Sequence, residues 1–269
     1  MILRVRAPAT TANVGPGFDC AAIALDLWNE LEVSEGDGEP DRDHLGVRAF
    51  ATLVPPEGKR FSFTDRIPRE RGLGSSASVI ALGLVAATLW QGAKPDPERL
   101  LELGLPLEGH ADNLAAALAG GACLTWDGRI ARLADTAPAA PIAVVPEATV
   151  STAAARASLP DTIPHADATH TVARAALLGV ALAWQSADLL RYALSDRLHE
   201  PYRATPLFRD LQADPPPEAL GVTISGSGPT IVVWARPGEA AACEDRLRRR
   251  FPNETVLRLA TTPKGAGPA

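Results

Sequence analysis

The sequence is poor in lysine, cysteine and long apolar runs, and each shortage excludes something. Only three lysines, Lys59, Lys94 and Lys264, stand among 26 basic residues. None lies in a glycine-rich loop, so a catalytic cation here is an arginine or a metal ion. The three cysteines, Cys20, Cys123 and Cys243, are far apart and odd in number. No CxxC or Cys/His ligand spacing occurs, which argues against a zinc site or a disulfide framework and fits a reducing, cytoplasmic setting. No stretch approaches the roughly 18 apolar residues of a membrane span; Val172 to Trp184 comes nearest and is interrupted by Arg174. Charges inside Met1–Arg6 argue against a signal peptide. A net charge of −6 argues against a general nucleic-acid binder. Missing too are GxxxxGK[ST] and GxSxG. His165 and His170, five apart, do not share a helical face as a zinc pair would.

What is present suits two modest domains: 269 residues, 46% of them hydrophobic. Leu3–Arg6 alternates like a strand, and residues 7–19 read as a loop. Residues 21–27 suit a strand or a short helix, and Trp28–Val33 a strand. His44–Leu53 and Val79–Trp90 read as helices, with Phe61–Thr64 as the strand between them. Asp96 before Pro97 reads as the N-cap of another helix. Residues 107–113 read as a polar loop, with Asp112 capping an Ala-rich helix that Gly120-Gly121 stops. Asp127-Gly128 marks a hairpin. The Pro/Ala-rich stretch 136–141 reads as a linker, giving a boundary near residue 140. Beyond it come a strand at 142–145, a helical stretch at 169–194 broken near Gln185-Ser186, strands at 220–224 and 230–235, a helix at 239–250 and a strand at 254–259. That order is the split βαβ arrangement. Residues 261–269 read as a frayed tail.

The chemistry centres on residues 67–78. Gly72 and Gly74 leave the backbone open to an anion. Ser75 or Ser76 is placed to cap the helix, whose first N–H groups and dipole favour a phosphate. A Gly/Ser loop with no ligand fits the same residues. So does a loose dinucleotide fingerprint, Gly72-x-Gly74-x-x-Ala77, but residues 91–97 cannot form the central strand it requires.

Together with residues 7–19, 108–113 and 225–230, this stretch resembles the GHMP kinase superfamily. Pro68-x-x-x-Gly72-Leu73-Gly74-Ser75-Ser76-Ala77 looks like its phosphate loop, and Ser225-Gly226-Ser227-Gly228-Pro229-Thr230 like its third motif. The first motif, Ala7 to Asp19, is similar to the homoserine kinase branch; mevalonate kinases carry a lysine near Thr10, and this chain has none. Glu108-Gly109-His110-Ala111-Asp112-Asn113, Ser151–Pro160 and Ser195–Arg203 resemble further segments of that branch. The region 34–60 is shorter than usual, and His44 stands where the family often has an asparagine near the adenine.

The resemblance implies an α+β, two-domain fold: a ribosomal protein S5 domain 2-like N-terminal domain (1–140) and a ferredoxin-like C-terminal domain (141–269). It implies ATP-dependent phosphorylation of the L-homoserine hydroxyl, with Mg²⁺, in a possible homodimer with no nucleic-acid or membrane partner. ATP falls to Pro68, Arg69, Arg71, Gly72, Leu73, Gly74, Ser75, Ser76 and Ala77. The metal falls to Ser76 and Glu108. Asn13, Asp19, His110, Asp112, Thr152, Gly226 and Gly228 fall to the substrate. Arg156 and Arg203 are placed to hold a carboxylate. Asn113 stands where sister kinases carry an aspartate base; an amide cannot take a proton, so positioning is its expected role. Asp112 serves equally as a helix cap. Another GHMP kinase acting on a small alcohol, or a non-catalytic binding protein on the same scaffold, are the alternatives.

Overall fold

The computed structural model describes residues 1–269. The chain opens with two long antiparallel strands, β1 (Ile2–Asn13) and β2 (Gly17–Glu35), then α1 (Leu45–Ala51) and β3 (Lys59–Thr64). Next come α2 (Ser75–Trp90), α3 (Pro97–Glu108), α4 (Ala111–Ala119) and the hairpin β4 (Ala122–Trp126)–β5 (Arg129–Ala134). The second half runs β6 (Ala140–Val145), α5 (Thr152–Ala157), α6 (His165–Ala183), α7 (Ala187–Ala193), α8 (Glu200–Arg203) and α9 (Pro206–Ala213). It ends with β7 (Ala219–Ile224), β8 (Ile231–Ala235), α10 (Ala240–Arg250), β9 (Thr255–Arg258) and β10 (Gly267–Pro268).

The first sheet has the order β10-β1-β2-β4-β5, with β3 also on β2, and the second β7-β8-β6-β9. All these pairings are antiparallel. A parallel βαβ start is therefore absent, which removes the dinucleotide reading. The second sheet with its crossovers is the split βαβ arrangement expected from the element order.

Helix α2 is apolar on nearly every face, as a helix enclosed on all sides must be. It packs on β1 and is covered by α1, α3 and α4. At its crossing with α1, a Cβ on Gly83 would lie 2.1 Å from the Gly46 carbonyl oxygen, so only glycine allows this approach. The largest core joins Val5, Leu31 and Val33 of the sheet to Phe50, Ile80, Leu84, Leu101 and Leu114 of the helices.

Several local expectations need correction. Residues 7–13 are strand, not loop: the Ala/Thr run continues β1, buried on both faces, past a register shift at Pro8/Ala9. Residues 17–35 form one strand rather than two pieces. The polar loop at 107–113 shrinks to Gly109 and His110, because α3 runs on to Glu108 and α4 starts at Ala111. The tail is not frayed. Ala266 N–H donates to Ala117 (2.7 Å), Gly121 N–H to Thr262 (2.8 Å), and β10 pairs with β1. Asp96 does cap α3, accepting from Glu98 and Arg99 N–H. The hairpin turns at Asp127-Gly128, and the helical stretch breaks between α6 and α7, at the expected places.

Candidate active site

The β3–α2 loop is pinned before it meets any ligand. Thr10 N–H donates to the Leu73 carbonyl (3.1 Å), and Ser225 Oγ to the Gly72 carbonyl (2.6 Å). Gly226 N–H donates to Ala12 (3.1 Å), and Asn13 Nδ2 to the Gly226 carbonyl (2.7 Å). The end of β1 thus ties the two glycine-rich loops together.

Helix α2 starts without the serine cap expected of it. The N-cap is Gly74, in the left-handed region at φ 66°, and no side chain bonds the first turn. The first N–H groups stay available to a ligand, the situation that makes a helix start an anion site. The α4 cap is likewise His110, again with no side-chain bond. Asp112 lies inside the first turn rather than capping it, and accepts from Asn113 N–H (2.7 Å). Helix α5 is capped in the ordinary way by Ser151.

The starts of α2, α4 and α5 all open into one cavity of about 350 Å³. Its wall brings together Asn13, Asp19, Gly72, Gly74, Ser75, Ser76, Glu108, His110, Asp112, Asn113, Thr152, Arg156, Arg203 and Gly226, drawn from segments up to 213 residues apart. The other candidate residues stand outside this wall. Leu73 and Ala77 are buried beneath the loop, and Gly228 backs it from the β7–β8 turn. Pro68 leads into it, Arg69 pairs with Asp65 on the surface, and Arg71 donates to the Glu147 carbonyl.

On one side of the cavity Ser76 Oγ lies 2.5 Å from Glu108 Oε2. Burial pushes the Glu108 carboxyl up to about 7, against the Ser76 hydrogen bond and with help from Asp112. No ion pair offsets it. Two hard oxygen donors with an uncompensated charge fit a small hard cation. No cluster of three or more His, Cys, Asp or Glu is assembled, so the pair suits a metal completed by phosphate oxygens rather than a protein cage.

Elsewhere in the wall Arg156 Nη2 reaches both Asp19 oxygens at 2.9 Å. Arg203 donates Nε to the Ala155 carbonyl (3.2 Å) and makes no ion pair; burial lowers its pKa. Asp112 is buried, which raises its carboxyl pKa. Thr10 Oγ1–H donates to Asn113 Oδ1 (2.6 Å), which leaves the amide N–H₂ of this lining residue without that partner. Sequence reasoning gave Thr10, Phe18, Glu70, Ser151 and Ser227 no role, although all five sit inside the motifs it used. Thr10 finds its partner 103 residues away, which no spacing rule reveals.

A second cavity, of about 420 Å³, is lined by His44, Val47, Lys59, Phe61 and Phe63 among others. The His44 ring lies 3.9 Å from Phe63, and its Nδ1 accepts from Gly46 N–H to cap α1.

Comparison with known proteins agrees with this geometry. The family description "GHMP kinases N terminal domain" matches residues 44–121, and "GHMP kinases C terminal" residues 196–253. The chain is 38% identical to a homoserine kinase of Streptomyces coelicolor, with 96% of each chain covered. It is 37% identical to one of Gloeobacter violaceus, with 97% of each covered. Among solved structures, a homoserine kinase of Cytophaga hutchinsonii superposes with a TM-score of 0.86 at 27% identity, covering 99% of this chain and 96% of that one. With a bare-started helix under a glycine loop, an oxygen pair beside it and both halves matched, the chain belongs to the GHMP kinase family.

Proposed function

We propose that the chain is an ATP-dependent homoserine kinase, which transfers the γ-phosphoryl group to the L-homoserine hydroxyl and supplies O-phospho-L-homoserine for threonine synthesis. The observation that carries this is the division of one cavity. An anion cradle with an oxygen pair shares the wall with two arginines and two carboxylates suited to a zwitterion.

Phosphoryl transfer through a loose transition state needs positioning and charge neutralisation more than covalent help. The free N–H groups of α2 bind phosphate oxygens. Ser76 and Glu108 would hold Mg²⁺, which would supply positive charge against the phosphates. Asp19 and Arg156, paired in the free protein, exchange partners with an amino acid: the carboxylate meets ammonium and the guanidinium meets carboxylate. Arg203, already without an acidic partner, adds the second guanidinium. Asn113, oriented by Thr10, donates toward the acceptor hydroxyl and directs its lone pair; no side chain is assigned as base. The nucleotide base falls to the cavity beside His44 and Phe63, which offers aromatic and apolar walls. The reading divides the work between residues 1–140, with the phosphate loop and cation pair, and 141–269, with the two arginines. It includes a cytoplasmic homodimer, for which sedimentation is the check.

An ADP-release assay with homoserine, mevalonate and galactose tests the substrate: turnover is expected with homoserine alone. Two charge-assisted bonds to a carboxylate are worth about 3 kcal/mol or more. Arg203→Ala is therefore expected to raise KM for homoserine by about 100-fold and leave KM for ATP near wild type. An unchanged KM for homoserine would remove Arg203 from the site.

A further inference from the structure

Arg203 poses a physical problem. It is a half-buried cation whose pKa burial pulls down, and it has no carboxylate at ion-pair distance. Its guanidinium carbon lies 4.9 Å from the centroid of the Phe18 ring. The same ring lies 5.7 Å from the guanidinium carbon of Arg156. One aromatic quadrupole thus serves both cations, and where water is excluded such contacts carry weight.

Phe18 is itself held. The His199 ring stacks on it at 5.0 Å with 25° between planes. His199 is fully buried, and its Nε2 donates to the Gly15 carbonyl (2.8 Å), in the β1–β2 turn three residues before Phe18. Asp196 fixes the backbone that carries the histidine, accepting from the N–H groups of His199 (2.8 Å) and Glu200 (2.9 Å). His199 and Arg203 are one helical turn apart. A chain of contacts therefore runs from Asp196 through His199 to Phe18 and the two arginines.

We propose that Phe18 and His199 form a positioning stack that sets the planes of Arg203 and Arg156 for a substrate carboxylate. The inference rests on the homoserine reading above and concerns residues that do not themselves contact the reacting atoms. With the ring in place, the Arg203 guanidinium nitrogens left free by Ala155 are available to a carboxylate in the cavity that Arg203 lines, and for Arg203 the stack replaces the acidic partner that would otherwise compete with substrate. Burial lowers the His199 pKa, and Nε2 carries the proton donated to the Gly15 carbonyl.

Steady-state kinetics of Phe18→Leu, Phe18→Tyr and His199→Gln, each checked by thermal melting, test this on two acceptors. One is L-homoserine. The other is 3-amino-1-propanol, which keeps the hydroxyl and amine and lacks the carboxylate. Phe18→Leu keeps apolar volume and removes the π face. It is expected to raise KM for homoserine about ten-fold with kcat and KM for ATP within about two-fold. Phe18→Tyr is expected to behave as wild type, and His199→Gln to follow Phe18→Leu. On 3-amino-1-propanol, kcat/KM is expected to be the same in wild type and Phe18→Leu. A wild-type KM in both Phe18→Leu and His199→Gln overturns the proposal. So does an equal loss on both acceptors, the mark of a structural role. Wild-type protein silent toward homoserine overturns the substrate reading itself, a failure visible without any variant.

Discussion

Glu108→Gln is expected to cut kcat by at least about 100-fold and, in the same protein, to raise the thermal midpoint at pH 8. The two effects share one cause. The Glu108 carboxyl has an ordinary value of 4.5 and is pushed to about 7 in the fold, first by burial. The folded state therefore holds a proton that the unfolded chain releases. Stability from this group falls as pH rises from 4.5 toward 7, and the full penalty remains above that. Glutamine removes the charge and the penalty, so its melting curve should be flatter between pH 5 and 8 than that of wild type. Mg²⁺ with nucleotide is expected to restore the wild-type midpoint at pH 8 and do little for the variant, because the cation supplies the missing counter-charge. Melting curves with and without Mg²⁺·nucleotide, beside kcat, check this. A fully active Glu108→Gln variant would remove the cation assignment.

Gly72→Ala should damage both the fold and the catalytic rate. Gly72 has φ 77°, and a Cβ there would lie 2.2 Å from the Ser225 carbonyl oxygen and 2.9 Å from that of Gly228. Both obstacles are backbone, so nothing swings away. The two glycine-rich loops must part, breaking the Ser225–Gly72 and Asn13–Gly226 bonds that hold the cradle. We expect a loss of about 2–4 kcal/mol in stability and a fall in kcat/KM beyond about 100-fold. Gly128→Ala separates strain from collision. Gly128 has the same left-handed backbone, φ 76°, at the β4–β5 turn, with no atom within 4 Å of an added Cβ. It should cost only about 1–2 kcal/mol and leave the kinetics unchanged. Urea unfolding and steady-state rates of both variants decide the matter; equal kinetic losses would deny the loops their special role.

The legible parts of this molecule are those whose chemistry is local. Gly72 and Gly74 announce the turn into α2 because glycine acts on its own backbone. Asp96-Pro97, Asp127-Gly128 and the break at Gln185-Ser186 are visible for the same reason. Where the sequence misled, the deciding partner lay far away. Ala7–Asn13 reads as a loop because its alternation is of small residues, yet strand β2 makes it half of a long ribbon. The tail has no periodicity of its own and owes its order to α4 and the free edge of β1. Ser75 suggested a cap, but the left-handed Gly74 sets the helix start and leaves its N–H groups bare. The arginines emerged as a pair only through their motifs. That one has an acid partner and the other an aromatic one is a fact of the assembled loops alone.

The ³¹P spectrum of a mixture of ATP, Mg²⁺, L-homoserine and the purified chain tests the account at its centre. A phosphomonoester resonance coupled to the terminal methylene of homoserine, growing in step with ADP, is the predicted result. ADP accompanied only by inorganic phosphate, or no change in the spectrum at all, would contradict it.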